Sequence, residues 1–404
     1  MLWGGCVGGL TATLKLKVSP EPSLLFLVNR YVNALRYTVN WIIDNRELRL
    51  SRVHKALYKN LKEEYGLPSR IAVDCYREAL SIAKSWFKNP RRGRKPIIKT
   101  KRVWLTPKLS YRLNLSNMKV HITGVGKVKI IGYPSNIKEY LNWNIREARL
   151  IVRENGIFLH VVVKKHINNT KPSLRVIAVD INEHEIVYGF QEHIVRDKTR
   201  VKECIRIKKY MERLQRKYSF GKYRAWISRR GILKRIKELG RRIRNITEDF
   251  VRKEAKRIID FTIIHGMDTI VIEDLSNLNK NLKKLRKPWR ERLVYMTYRK
   301  LLRWIEWEAK KHGLVVVKVN PRGTSTTCPY CNIKMISTGY RKFRCLICGF
   351  ESDRDTIAVI NLIVKHISLE MGVVLTRPTA PQMKDVYPNR CGELMNTLKG
   401  IHTF

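Results

Sequence analysis

The sequence predicts a multidomain chain that joins an α/β sheet domain to a mainly β domain. Three observations carry this. First, three short apolar runs lie in the C-terminal half: LRVIAVD at 174–180, DTIVIE at 268–273 and LVVVKV at 314–319. Such runs read as strands buried on both faces of a sheet. Second, the hydrophobic period becomes two between 103 and 165. It ends in the hairpin RLIVRENGIFLHVVVK at 149–164, with Asn155-Gly156 as its turn signal. Third, two Cys-x-x-Cys pairs, Cys328/Cys331 and Cys345/Cys348, are separated by thirteen residues. Each pair forms a knuckle that aims two thiolates at one point, and two knuckles supply the four-sulfur tetrahedron zinc prefers. A closed four-ligand site leaves no open position for water, so this zinc is expected to be structural.

Length and charge narrow the function. With 404 residues the chain can build two or three cores. It carries 82 Lys and Arg against 34 Asp and Glu, a net charge of +48 spread along most of its length. So large a surplus repels itself in a compact fold unless a polyanion offsets it, which makes nucleic acid the expected partner. No apolar run approaches the roughly 18 residues of a membrane span. Cys6, Cys75, Cys204 and Cys391 are scattered, which fits a reducing compartment with a metal site better than a disulfide framework. The opening MLWGGCVGGL lacks a basic leader region, so a cytoplasmic protein is expected.

In chain order, residues 10–18 alternate as a strand. Leu24, Leu27, Val28, Tyr31, Ala34, Leu35, Thr38, Trp41 and Ile42 then recur at helical spacing. Two further helices are expected at 51–65 and 69–87. The segment 89–102 is a basic, breaker-rich loop whose charges suit phosphate. The strand 10–18 and the stretch 103–165 are expected to form one β-barrel-like domain, with the helices inserted in it. Residues 199–259 form a long basic helical region, broken near Phe220-Gly221, with Ile232, Ile236, Leu239, Ile243, Ile246 and Phe250 as its apolar stripe. Its basic face is either simply solvated or in contact with nucleic acid. A basic loop at 279–287 precedes a helix from Pro288 to His312, which carries Trp289 and Leu293 and stops at Gly313. A last helix is expected at 356–366, and a loose tail from 372.

Two of the apolar strands end on acids, Asp180 and Glu273, and Asp355 stands where the last helix begins. One strand-end acid is as consistent with a turn former as with a site. Three such acids at one sheet edge would repel one another unless cations hold them, and hard oxygen donors suit Mg2+ or Mn2+. Two such ions can activate a water and stabilise the leaving oxygen of a phosphodiester. In a chain this basic, the natural chemistry is nucleic-acid cleavage.

The stretches VIAVDIN at 176–182, TIVIEDLSNL at 269–278, NPRGTSTTCPYC at 320–331 and CLICGFESDRD at 345–355 resemble the TnpB family of insertion sequences. That family is related to type V CRISPR effectors. The resemblance implies an RNase H-like RuvC nuclease domain at 173–320 and 352–371, with a zinc ribbon at 321–351. It implies a β-barrel wedge domain at 1–22 and 88–172, a helical recognition domain inserted at 23–87, and a tail at 372–404. Asp180, Glu273 and Asp355 correspond to the family's metal-binding carboxylates, and the four cysteines to its ribbon. The implied activity is RNA-guided DNA cleavage, with a guide RNA from the transposon end and double-stranded target DNA as partners. A DNA transposase, or a nucleic-acid-binding regulator without nuclease activity, would present the same motifs. The chain departs from the family pattern at Asn182 and Asn332, where Gly is usual, and at Ile357-Ala358-Val359, where Asn-Ala-Ala is usual. Asn361 matches a later family Asn. Asp353 is the second acid beside the helix start and is expected as its N-cap or as a support for the site.

Overall fold

The computed structural model describes residues 9–90, 93–167, 170–190, 193–218, 231–275, 286 and 298–371. They fall into two compact units, one within Cys6–His166 and the other within Ile167–Phe404. The basic loop at 279–287 lies outside the described residues apart from Arg286, as do the start of the helix expected from Pro288, the Phe220-Gly221 break and the tail.

The first unit is built on a seven-stranded antiparallel sheet. Its strands are β1 (Gly9–Val18), β2 (Arg102–Leu105), β3 (Tyr111–Asn114), β4 (Lys119–Ile122), β5 (Gly126–Gly132), β6 (Asn144–Arg153) and β7 (Gly156–His166), in the order β2-β6-β7-β1-β5-β4-β3. β1 buries Leu10, Leu14, Leu16 and Val18 and exposes Lys15 and Lys17, the alternation its sequence predicts. The two edge strands, β2 and β3, are neighbours in sequence. The six residue steps between Leu105 and Tyr111 reach at most about 20 Å, whereas seven flat strands would hold their edges about 29 Å apart. The sheet must therefore curl. The expected barrel is thus realised as a curled sheet whose hydrogen-bond ladder keeps two edges. The β6–β7 turn differs slightly from expectation. Arg153 pairs with Gly156, so the loop is Glu154-Asn155, and Gly156 opens β7 with φ 132°.

Helices α1 (Pro22–Asp44), α2 (Leu50–Glu63) and α3 (Ser69–Lys88) belong to the same unit. The predicted stripe of α1 is buried, with Trp41 half-buried. Two buried acids of α3 fasten it to the sheet. Glu78 accepts from Tyr31 at 2.8 Å and pairs with Arg102 of β2. Asp74 accepts from the backbone and hydroxyl of Thr106 and from Ser110.

The second unit centres on a five-stranded sheet of order β10-β9-β8-β11-β12. It comprises β8 (Val176–Ile181), β9 (Glu185–Phe190), β10 (His193–Lys198), β11 (Thr269–Glu273) and β12 (Val315–Val319). β8, β11 and β12 are parallel; β9 and β10 fold back antiparallel on β8. Every residue of β8 is buried, as its apolar run predicts. β12 is instead an edge strand, and its valines at 315–317 are only half-buried. Among the described residues the long basic region forms two helices, α4 (Val201–Lys217) and α5 (Ile232–Ile264). Ile243 and Ile246 of α5 pack on Cys204 of α4. Tyr188 of β9 meets Phe261 of α5 edge to face. α6 (Tyr298–His312) lies along α5, where Arg252 stacks over Trp304 at 4.4 Å. A small ribbon of β13 (Ile336–Gly339), β14 (Lys342–Arg344) and β15 (Glu351–Asp353) leads into α7 (Arg354–Glu370), which packs on β8 and β9. Among the described residues no helix is long and apolar enough to cross a membrane.

Candidate active site and metal centre

The parallel pairing of β8 and β11 aligns Val179 with Ile272. The next residue on each strand is an acid, Asp180 and Glu273, so two carboxylates leave adjacent strands at the same end. In α/β sheets that end is where ligands bind. Asp355 is the second residue of α7. It joins the group through Asn182, whose Nδ2 donates to Asp180 Oδ2 at 2.7 Å and to Asp355 Oδ1 at 2.9 Å. A primary amide has two hydrogens to give, so one side chain ties both acids. Glu273 is held separately. Thr324 Oγ1 donates to its Oε1 at 2.6 Å, and the Tyr298 hydroxyl donates to its backbone carbonyl at 2.6 Å.

The electrostatics are those of crowded acids. Burial pushes Asp180 up to about 7, and the charges of Glu273 and Asp355 add to it. Burial also raises Glu273, against the hydrogen bond from Thr324 and the charges of Lys365 and Arg354. A fourth acid, Glu185 at the start of β9, is raised by its own burial and by its hydrogen bond with Asp355. Besides Lys365, three arginines answer them. Arg341, at the turn between β13 and β14, binds both Asp355 oxygens. Arg196 of β10 lies 3.5 Å from Glu185 and 3.9 Å from Asp355. Arg354 adds its charge beside Asp180. Among the described residues no three of the acids bring their oxygens all within 4.8 Å of one another, as the thiols of the ribbon do; Asn182 bridges Asp180 and Asp355. Asp180, Glu273 and Asp355 nonetheless fit a hard divalent cation by donor type, and relief of the repulsion at Asp180 would favour one.

Asp353 has a different task. It is the N-cap of α7, and its Oδ1 accepts from the backbone N–H of Asp355 at 3.1 Å and of Thr356 at 3.2 Å. Burial alone would raise it, but the hydrogen bonds from Thr356 and Arg196 hold its carboxyl below the ordinary range. With its oxygens turned to its own helix and to Arg196, it is not aimed at Asp180.

The four thiols lie within 4.8 Å of one another, with Cys328 and Cys348 3.6 Å apart. A tetrahedral zinc with sulfur ligands sets its sulfurs about 3.8 Å apart. The two knuckles repeat one geometry. The Cys328 N–H donates to Ile333 O as the Cys345 N–H donates to Phe350 O, and Asn332 N–H donates to Cys328 O as Gly349 N–H does to Cys345 O. Each knuckle closes on a left-handed residue, Asn332 at φ 52° and Gly349 at φ 73°. Asn tolerates that conformation better than other non-glycine residues, so Asn332 serves in place of Gly. Donor set and geometry fit a structural zinc. Ile357 is fully buried against Cys328, Cys331, Met335 and Cys345, so it anchors the ribbon to α7.

Reasoning from sequence missed Glu185, Arg196, Arg341 and Thr324 as parts of this site. β10, which brings Arg196, is a largely exposed edge strand with weak alternation, and β9, which brings Glu185, is a short buried run whose first residue carries no local sign of a site. Arg341 and Thr324 act across 14 and 51 residues, and no local pattern marks them.

Residues 298–362 match the family described as Cas12f1-like, TNB domain. The chain is 31% identical over 233 residues to the TnpB-like protein MJ0751 of Methanocaldococcus jannaschii, spanning 57% of this chain and 81% of that one. It is 28% identical over 205 residues to the CRISPR-associated endodeoxyribonuclease Cas12f1 of Sulfoacidibacillus thermotolerans, a match that covers 48% of this chain and 46% of the relative. The solved complex of Cas12f1 with sgRNA and target DNA aligns at a TM-score of 0.49 and 14% identity, over 84% of this chain and 82% of that one. The chain belongs to the TnpB-like family, which is related to Cas12f.

Proposed function

We propose that this chain is an RNA-guided, metal-dependent DNA endonuclease of a transposable element. The observation that carries the proposal is the gathering of Asp180, Glu273 and Asp355 at one end of a mixed sheet ordered β10-β9-β8-β11-β12. The antiparallel β8–β9–β10 and parallel β8–β11–β12 arrangement supports reading 173–320 and 352–371 as an RNase H-like RuvC domain, interrupted by the ribbon at 321–351. Residues 1–22 and 88–172 would form the wedge-like domain and 23–87 the helical recognition domain, a division that the curled sheet and three helices of the Cys6–His166 unit support. The name of the Cas12f1 relative supports the same class of reaction.

Mg2+ or Mn2+, when bound by Asp180, Glu273 and Asp355, would supply an activated water and stabilise the leaving oxygen of a phosphodiester. The chain's own residues present the acids at one edge. Asn182 fixes the spacing of two of them, and Arg196 and Arg341 bring positive charge where a phosphate would approach. The +48 charge gives a guide RNA and a target DNA the counter-charge they need. In guided recognition base pairing reads the sequence, while the protein holds the duplex by its backbone and shape.

Ile357, where the family pattern has Asn, would suit a regulator without nuclease activity, but its burial in the ribbon's core gives it a packing role that is equally compatible with a nuclease. A strand-transfer enzyme would use the same acids, so products decide between the two. The test is to sequence the RNA that copurifies with the chain and to offer double-stranded DNA matched to its variable end, with Mg2+. Cleavage by wild type and none by Glu273→Gln is the expected result. Joining of DNA ends without guided cleavage would favour the transposase, and RNA binding with no cleavage in Mg2+ or Mn2+ would refute nuclease function.

A further inference from the structure

We infer that Thr324 is a positioning residue for Glu273, and that α7 sets it in place through Asn361 and Lys365. The inference rests on the cation site proposed above. Thr324 is 1% exposed. Its hydroxyl lies 2.6 Å from Glu273 Oε1 and 2.9 Å from Pro321 O. One hydroxyl proton serves one acceptor at a time, and the shorter, charge-assisted contact to the carboxylate is the stronger. Accepting that proton fixes the rotation of the Glu273 carboxyl through Oε1.

The loop that carries Thr324 makes a few bonds within itself and is further tied to α7. Asn361 Nδ2 donates to Thr324 O and to Thr327 O, both at 2.7 Å. One turn further along α7, Lys365 Nζ donates to Asn320 O at 2.9 Å and to Arg322 O at 2.6 Å. Four carbonyls of 320–327 are thereby tied to two side chains four residues apart on one helix face. The first turn of the same helix carries Asp355. A single rigid element therefore places Asp355 directly and Glu273 through Thr324. Thr327 directly precedes Cys328, so the same bonds also seat the first knuckle. Hydrogen-bond partners of metal ligands typically change metal affinity by about 10- to 100-fold when removed.

Thr324→Val keeps the shape and deletes the hydroxyl; Thr324→Ser restores it. Mn2+ binding to the full chain, read by the EPR signal of free Mn2+, should weaken about 10- to 100-fold in Thr324→Val and return to within a few-fold in Thr324→Ser. Zinc content should stay at the wild-type level in both. Thr324→Ala should show the same loss and serves if the valine variant does not fold. Wild-type Mn2+ affinity in Thr324→Val, with weakened affinity in Glu273→Gln, would overturn the positioning role and leave the cation site standing. A loss accompanied by release of zinc would also overturn it, because Thr324 would then act through the ribbon's fold. A wild type that binds no Mn2+, or binds it unchanged after Glu273→Gln, would overturn the cation site and the positioning role together.

Discussion

Asp180→Asn isolates the repulsion built into the site. The side chain keeps its shape, and its carbonyl can still accept from Asn182. Asp180 titrates at about 7 against an ordinary 3.8, through burial first and the charges of Glu273 and Asp355 second. A carboxyl raised in the fold binds its proton more tightly there than in the unfolded chain. Stability is therefore full below about pH 4, falls as pH rises towards 7, and is flat above. The whole shift corresponds to at most about 4 kcal/mol at pH 8. Relaxation and water reduce it, so a gain of about 2 kcal/mol is expected for Asp180→Asn at pH 8 and almost none at pH 4. For a unit of about 200 residues that is roughly 4–8 °C in the unfolding midpoint. The assay is thermal unfolding of wild type and variant at pH 4, 6 and 8 in buffer free of divalent cations, then with Mn2+. Mn2+ should raise the wild-type midpoint and leave the variant's unchanged. An equal gain at all three pH values, or a loss at pH 8, would refute the electrostatic reasoning.

Glu254→Gln tests a second buried acid, away from the site. Burial, then the charge of Asp197, push Glu254 up to about 8, and its Oε1 has no hydrogen-bond partner. By the same sign, the wild type should lose up to about 1.4 kcal/mol per pH unit relative to the variant between roughly pH 5 and 8; parallel curves would show that Glu254 ionises in the fold as readily as in the unfolded chain. Cys345→Ser should drop zinc from one equivalent to nearly none and open 321–353 to proteolysis, since metal binding is part of the folding free energy. Retained zinc with a protected ribbon would count against a closed four-thiol site.

What the sequence makes legible is what local chemistry dictates. Cys-x-x-Cys spacing defines the ribbon because two thiolates on one knuckle must share an ion. Val176–Val179 read as a central strand because burial on both faces favours such a run. The same rule misreads LVVVKV at 314–319, since an edge strand packed on one side can be equally apolar. Asp353 is legible as an N-cap from its place before the last helix. The partners of the acids are not legible. Asn182 shows itself only as an odd residue at a Gly position, and its bond to Asp355 spans 173 residues. Arg341 is one of 82 basic residues until the ribbon folds and sets it on Asp355.

The assignment of Asp355 as the third carboxylate, with Asp353 as helix cap, is tested most directly by guided cleavage. Wild type, Asp355→Ala and Asp353→Ala are loaded with the same copurifying RNA and given matched DNA and Mg2+. Asp355→Ala leaves Arg341 without its carboxylate, yet it should still bind RNA and zinc. Asp353→Ala loses a cap that typically contributes about 1 kcal/mol. The account expects Asp355→Ala to abolish cleavage and Asp353→Ala to retain much of it with a lowered unfolding midpoint. Cleavage at near the wild-type rate by Asp355→Ala, with none by Asp353→Ala, would contradict it.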